Sequence, residues 1–223
     1  MSCLGARAQT DGNYDYTKEF IWGINKNTNG GMIGGFIFKW STAIGETQFR
    51  TIGIETMNVK HSKEYRIASF TGNQFIWAKQ NYLYAIRLQY GRDFLLYKKA
   101  PQQGVQINAS VAGGPTIGVI APYYVRNADG RTMPFDPDFH TSPGTIAGTG
   151  KLFQGLGKSK IKPGLHVKGA VSFELGAFKS NVTGFEVGIL GEIYAGKINL
   201  MPFEESKAAF MSAFITLFYG NRK

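Results

Sequence analysis

Residues 165–178 read LHVKGAVSFELGAF. Leu165, Val167, Gly169, Val171, Phe173, Leu175 and Ala177 alternate with His166, Lys168, Ala170, Ser172, Glu174, Gly176 and Phe178. Successive side chains of a β-strand leave the pleat on opposite sides, so a period of two predicts a strand with one oily and one polar face. The same period predicts strands over about 20–27, 32–43, 47–59, 81–91, 104–125, 183–195 and 208–220. In the first, Phe20, Trp22 and Ile24 alternate with Ile21, Gly23 and Asn25. Met32, Phe36, Phe38 and Trp40 share one parity of the second, and Ile52 and Ile54 oppose Thr51, Gly53 and Glu55 in the third. Tyr82, Tyr84, Ile86, Leu88 and Tyr90 oppose Ala85, Arg87 and Gln89. From Val105 to Val125 the odd positions are oily, with Pro115 predicting an edge, bend or bulge in mid-run. Phe185, Val187, Ile189 and Ile193 oppose Glu186, Gly188, Glu192 and Tyr194. The last run is apolar on both parities; Met211, Ala213, Ile215, Leu217 and Tyr219 are assigned to the outer face.

These segments define an all-β fold, and their even number lets an antiparallel up-and-down sheet close into an eight-stranded barrel. The connections after the second and sixth strands are short, while those after the third, fifth and seventh are long and polar. That asymmetry is the one seen in transmembrane barrels, which place their chain ends on the short-turn side. The first hairpin, NTNGG, departs from it by being short on the long-loop side. No repeat or low-complexity linker interrupts the chain, so residues 9–223 form one barrel domain. Before it, Ala6-Arg7-Ala8 followed by Gln9 has the small-x-small form of a leader cleavage site, which marks 1–8 as the remnant of a signal peptide. Cys3 falls in that remnant, and as the only cysteine it can form no internal disulfide.

Composition decides what lies on each face. Charged residues make up 18% of the 223, against 43% hydrophobic, yet no stretch approaches the roughly 18 consecutive apolar residues of a spanning helix. A soluble barrel of the lipocalin kind would carry Lys, Glu and Thr on its polar parity, facing water. Here that parity is often Gly, Ala or Ser, which suits a crowded interior and leaves the oily parity outside against lipid. Aromatic residues gather near strand ends, as membrane-interface girdles require: Trp22, Trp40, Tyr82, Tyr90, Tyr123 and Tyr219, with Tyr194 besides. The expectation is an outer-membrane barrel with periplasmic termini.

The chain also resembles the small outer-membrane β-barrel proteins of Bacteroidota. The resemblance rests on Ala-x-Ala-Gln at the processing site, GINKNTNGGMIGGF, GRDFLLYKKAPQQGVQINASVAGGPTIG, PGLHVKGAVSFELG and the closing LFYGNRK. It covers nearly all of the chain after the leader and implies an outer-membrane location without a defined activity. One departure is the end: many Gram-negative barrels finish on an aromatic assembly signal, whereas Gly-Asn-Arg-Lys follows Tyr219 here.

Candidate chemistry follows from the inward parity. An eight-stranded lumen is just wide enough to be filled by side chains. Glu55, Arg87, His166, Lys168, Glu174, Glu186 and Glu192 all fall on that parity, and charges of both signs in a closed space must pair, giving a plugged polar network. A lipid A-modifying hydrolase or acyltransferase would need a histidine beside a nucleophile, for which His61-Ser62 and His140-Thr141-Ser142 are the candidates; adjacent residues on a strand point apart, so no enzyme is expected. Three scattered histidines give no metal-ligand spacing, and Asp136-Pro137-Asp138 reads as a turn. GGMIGG lies in a hairpin and not before a helix, so it cradles no phosphate, and no cofactor is expected. The net charge of +10 is spread over Lys60, Lys63, Arg66 and Lys79 and over Arg126, Arg131, Lys151, Lys158, Lys160 and Lys162. Export separates these cations from nucleic acid. They suit outer-membrane lipids and lipopolysaccharide, or other outer-membrane proteins or lipoproteins, met through the loops at about 60–80, 126–162 and 196–207.

Overall fold

Each of the eight segments forms a long strand, and among the described residues five short ones lie between them. The computed structural model describes residues 16–30, 34–98, 104–151, 154–175 and 181–223. The leader remnant expected at 1–8, Cys3, Met32 and positions 176–178 of the opening segment lie outside the described residues. The strands are β1 (Lys18–Asn27), β2 (Gly35–Ala43), β3 (Gln48–Val59), β4 (Arg66–Ala68), β5 (Gln74–Ile76), β6 (Asn81–Tyr97), β7 (Val105–Pro122), β8 (Tyr124–Asn127), β9 (Thr132–Pro134), β10 (Ile146–Thr149), β11 (Lys160–Leu175), β12 (Asn181–Ile198) and β13 (Lys207–Arg222). β1, β2, β3, β6, β7, β11, β12 and β13 pair antiparallel with their neighbours around a closed barrel. The seam is the β1–β13 ladder, where Trp22 faces Tyr219 and Asn25 faces Thr216. Closure removes the free edges that an open sheet of such strands would expose.

The up-and-down order brings the β1–β2, β3–β6, β7–β11 and β12–β13 connections to one end, the loop end. The β2–β3, β6–β7 and β11–β12 connections leave the other end, the terminal end, where β1 begins and β13 finishes. Along the wall the oily parity faces out and the polar parity in. Met211 is 79% exposed and Val167 66%, while Arg87 and Lys168 on the opposite faces are at 0% and 2%. β13, apolar on both parities, puts Met211, Ala213, Ile215, Leu217 and Tyr219 outward and buries Phe210, Phe214 and Phe218. The lumen is filled by large side chains set against small ones: a Cβ on Gly118 would come within 2.6 Å of the Tyr194 ring.

Several boundaries differ from the pattern's prediction. β6 continues to Tyr97, because GRDFLLY still finds partners on β3 (Gln48 opposite Phe94) and on β7. β11 begins at Lys160, where a basic, Pro-containing start hid the alternation; Lys160 to Gly164 pair with Ile120 to Thr116. The run expected to reach 125 leaves the barrel after Pro122, and Tyr124–Asn127 joins a separate three-stranded sheet with β9 and β10. Pro115 is not at an edge and makes no bulge. It faces outward, and the β6–β7 ladder omits pairing between Arg87 and Tyr90, where proline has no N–H to give. Finally, β13 runs through Arg222, so the charged tail belongs to the wall.

Over the loop end sits a cap with its own core. Phe75, Ile76, Ala78, Tyr123, Val125, Phe135, Ile146 and Met201 pack together there, with Ile67, Trp77 and Tyr82 against them. The β4–β5 hairpin supplies Ile67, Phe75 and Ile76, the β8–β9–β10 sheet supplies Val125 and Ile146, and the remainder come from the connecting segments and from β6.

Candidate functional site

The lumen is layered. Toward the loop end Met57, Val59, Leu83, Ala85, Ile120, Ile198, Leu200 and Phe210 form an apolar stopper. Beneath it Arg87 lies 2.6 Å from Glu55 and 2.9 Å from Glu192. Gln89 donates to the second Glu55 oxygen at 2.8 Å, and the Tyr194 hydroxyl donates to Glu192 at 3.2 Å. Lys168 reaches Glu186 at 2.8 Å and Glu55 at 3.4 Å while resting 4.3 Å from the Phe214 ring. Lys39 holds the other Glu186 oxygen. At the terminal end Arg222 joins Glu19, at 2.6 Å, to Glu174, which also accepts from Asn108 at 2.6 Å. His166 Nδ1 is 2.9 Å from the Thr116 hydroxyl, and its Nε2 is buried without a hydrogen-bond partner.

Glu55, Arg87, Lys168, Glu186 and Glu192 therefore meet in one cluster, Glu174 belongs to a second one with Arg222, and His166 joins the Thr116 hydroxyl instead of a carboxylate. Sequence reasoning missed Lys39, which shares the inward parity opposite Phe38 and Trp40, and Asp93, which lay past the predicted end of its strand. It also missed Glu19 and Arg222 at the predicted strand ends. Carboxylates outnumber cations inside the lumen: Glu19, Glu55, Asp93, Glu174, Glu186 and Glu192 stand against Lys39, Arg87, Lys168 and Arg222. The chain's positive excess therefore sits elsewhere. A cavity of about 20 Å³ between Glu19, Lys39, Asp93, Glu174 and Glu186 has room for one water. Chemically, the arrangement cross-links the strands from within.

The aromatic residues take different places. Trp22, Trp40, Tyr90 and Tyr219 face outward, between 40% and 56% exposed. Register pairs Phe20 with Trp40, Trp40 with Ile52 and Ile52 with Tyr90, setting them along one row toward the terminal end. Tyr82 is at the loop end, half-buried and stacked on Tyr84 at 5.8 Å. Tyr123 is not on the wall: it is 1% exposed inside the cap, where its hydroxyl accepts the Ile76 N–H at 3.1 Å and burial raises its pKa to about 12. Past Pro122 the strand direction is lost, and outward parity with it. Tyr194 points into the lumen.

Neither histidine–hydroxyl candidate assembles. His140 is fully buried, with Nε2 2.9 Å from Asn127 Oδ1 and Nδ1 accepting the Asp136 N–H at 3.1 Å. Both ring nitrogens are taken, and the ring stacks on Phe135 at 5.2 Å. The Ser142 hydroxyl instead accepts the Gly144 N–H in a 3₁₀ turn. His61 Nδ1 accepts the Lys63 N–H at 3.3 Å. The cap also buries Lys79, 2.6 Å from Glu64 and 4.5 Å from the Tyr82 ring, and burial lowers the Lys79 pKa despite that carboxylate. Among the described residues no group of three His, Cys, Asp or Glu is placed to hold a metal ion.

No family model and no curated protein sequence matches the chain. Among solved structures it is similar to Neisserial surface protein A, at 10% identity and a TM-score of 0.41, with 93% of this chain and 97% of that one covered. It is also similar to Ail, the attachment invasion locus protein of Yersinia pestis, solved with the heparin analogue sucrose octasulfate: 9% identity, TM-score 0.40, covering 93% and 99%. The closed barrel rests on this chain's own strand pairing, independently of these likenesses.

Proposed function

We propose that the chain is a non-enzymatic outer-membrane β-barrel with periplasmic termini. It holds the segments 60–80, 123–159 and 199–206 at the cell surface, by itself or as a subunit of a larger envelope assembly, with outer-membrane lipids and other envelope proteins as partners. The observation that carries this reading is the inversion of polarity: a wall of exposed Trp, Phe, Ile, Val and Leu side chains surrounds paired buried charges. In water such a wall would aggregate, whereas in hydrocarbon it is the stable arrangement, because a closed sheet satisfies every backbone group internally. The same wall counts against a soluble lipocalin-like binder. The apolar stopper above the ionic layer supports an anchor over a conduit.

Folding into lipid vesicles with heat-modifiable migration is the test; a chain that stays soluble and unshifted would end the reading. A mild-detergent pull-down of the native protein is expected to recover other envelope proteins, and recovery as a lone monomer would remove the assembly-subunit version. A lipid A-modifying enzyme is disfavoured by the occupied ring of His140. Loss of a lipid A modification on deletion, restored by wild type but not by His61→Ala or His140→Ala, would reverse that judgement.

A further inference from the structure

A cleft of about 430 Å³ opens where the cap meets the barrel wall. Its floor is the loop-end outer face of three adjacent strands: Asn58 of β3, Tyr82 and Tyr84 of β6, and Ala121 and Pro122 of β7. Its sides come from the cap, which brings in Lys60, Arg66, Tyr124 and Lys151. No carboxylate lines it among the described residues. The neighbouring acid, Glu64, is engaged by Lys79 at 2.6 Å. Asn58 contributes to the floor, with its Oδ1 buried. Three cations with no ion-pair partner among the described residues, together with phenol rings, suit a phosphorylated sugar: ammonium and guanidinium for phosphate, rings for the sugar faces.

The position of the cleft selects the form in which that sugar arrives. Immediately below it the outer faces descend through Ile86 and Leu88 of β6, Ile117 and Val119 of β7, and Ile52 and Ile54 of β3. A ligand seated in the cleft would lay any acyl chains directly along this apolar column. We infer that the cleft is a headgroup site for a phosphorylated acyl-saccharide lipid of the outer leaflet, with Lys60, Arg66 and Lys151 on its phosphates and its acyl chains on the β3–β6–β7 wall. The inference rests on the outer-membrane reading and gives it a specific lipid contact: one site, with the cap and the wall each binding one half of the molecule.

The test titrates the full chain, folded in detergent micelles, with bisphosphorylated lipid A, with the same lipid stripped of phosphate, and with free glucosamine 1,6-bisphosphate. The triple variant Lys60→Gln/Arg66→Gln/Lys151→Gln is compared with Lys18→Gln/Arg50→Gln/Arg92→Gln, which removes equal charge at the terminal end. Lipid A is expected to bind the cleft variant about tenfold or more weakly, the loss of a single well-placed charged contact or more, while the terminal-end variant stays near wild type. Dephosphorylated lipid is expected to bind wild type no better than lipid A binds the cleft variant. Equal loss in both variants would reduce the effect to net charge and overturn the site. Free sugar bisphosphate binding as tightly as the lipid would overturn the lipid assignment. Heat-modifiable migration is scored on every sample: unchanged binding by a folded cleft variant sinks the cleft alone, whereas failure of wild type to fold into micelles or vesicles sinks the barrel reading and the cleft with it.

Discussion

Below its apolar stopper the barrel buries an ionic core, opposite in polarity to the core of the cap. In the barrel, Glu55, Arg87, Lys168 and Glu186 are buried while Ile189 and Leu217 are exposed at 64% and 61%. In the cap, Phe75, Tyr123, Val125 and Ile146 are buried at 1% or less, while Arg126, Arg131 and Lys151 are outside. Hydrophobic burial in water explains the second arrangement and cannot explain the first. In the proposed outer-membrane reading, the change from one to the other marks where the solvent changes. It falls at Pro122–Tyr123, the junction where β7 leaves the wall and where the cleft opens.

Breaking the barrel's core is expected to have the largest effect. Arg87→Ala leaves Glu55 and Glu192 buried without their shared cation, which costs about 3–5 kcal/mol. Urea unfolding from lipid vesicles measures it, and removing both glutamates along with Arg87 is expected to recover much of the loss. Next comes the wall. Ile189→Lys, at mid-height between Gly169 and Ala213, is expected to cost about 2–4 kcal/mol in a bilayer. The equivalent Phe139→Lys on the cap, where Phe139 is already 57% exposed, should stay within about 0.5 kcal/mol. Equal costs would erase the distinction between the two exteriors.

The cap's own core is tested by His140→Ala. It strips Asn127 Oδ1 and the Asp136 N–H of their partner and is expected to cost about 1–3 kcal/mol. The loss should be seen as faster hydrogen exchange at β8–β10, with barrel amides unchanged, because the two regions can open separately. The smallest effect is a pH dependence at Lys79. Burial lowers its pKa when folded, so the folded cap binds fewer protons than the unfolded one between the two values. Cap stability should therefore rise with pH as it approaches the ordinary lysine range, and be flat there in Lys79→Met; exchange rates from pH 7 to 10 measure it.

Much of the barrel was legible because a period of two survives wherever one face meets oil. LHVKGAVSFELG put Leu165 and Val167 outside and His166, Lys168 and Glu174 inside without any knowledge of partners. What alternation cannot supply is pairing. Glu186 and Lys168 are on neighbouring strands, but Lys39 reaches Glu186 across the lumen, and no local signal brings those two together. Arg222 read as a hydrophilic tail because its oily neighbours had ended, although the alternation continues through Tyr219, Gly220 and Asn221. The cap was not legible at all. Its strands are three or four residues long, too short for a period to register, and Tyr123 carried the oily parity of β7 across a proline into a different core.

Whether the barrel wall faces hydrocarbon while the cap does not can be decided with the three native tryptophans. Trp22 and Trp40 lie on the outer wall, and Trp77 lies in the cap against Phe135 at 5.8 Å. Protein folded into vesicles of lipid brominated along its acyl chains would be compared as Trp77→Phe and as Trp22→Phe/Trp40→Phe. Strong bromine quenching is expected of the first and almost none of the second. Equal quenching of both, or none in Trp77→Phe, would contradict that placement of wall and cap.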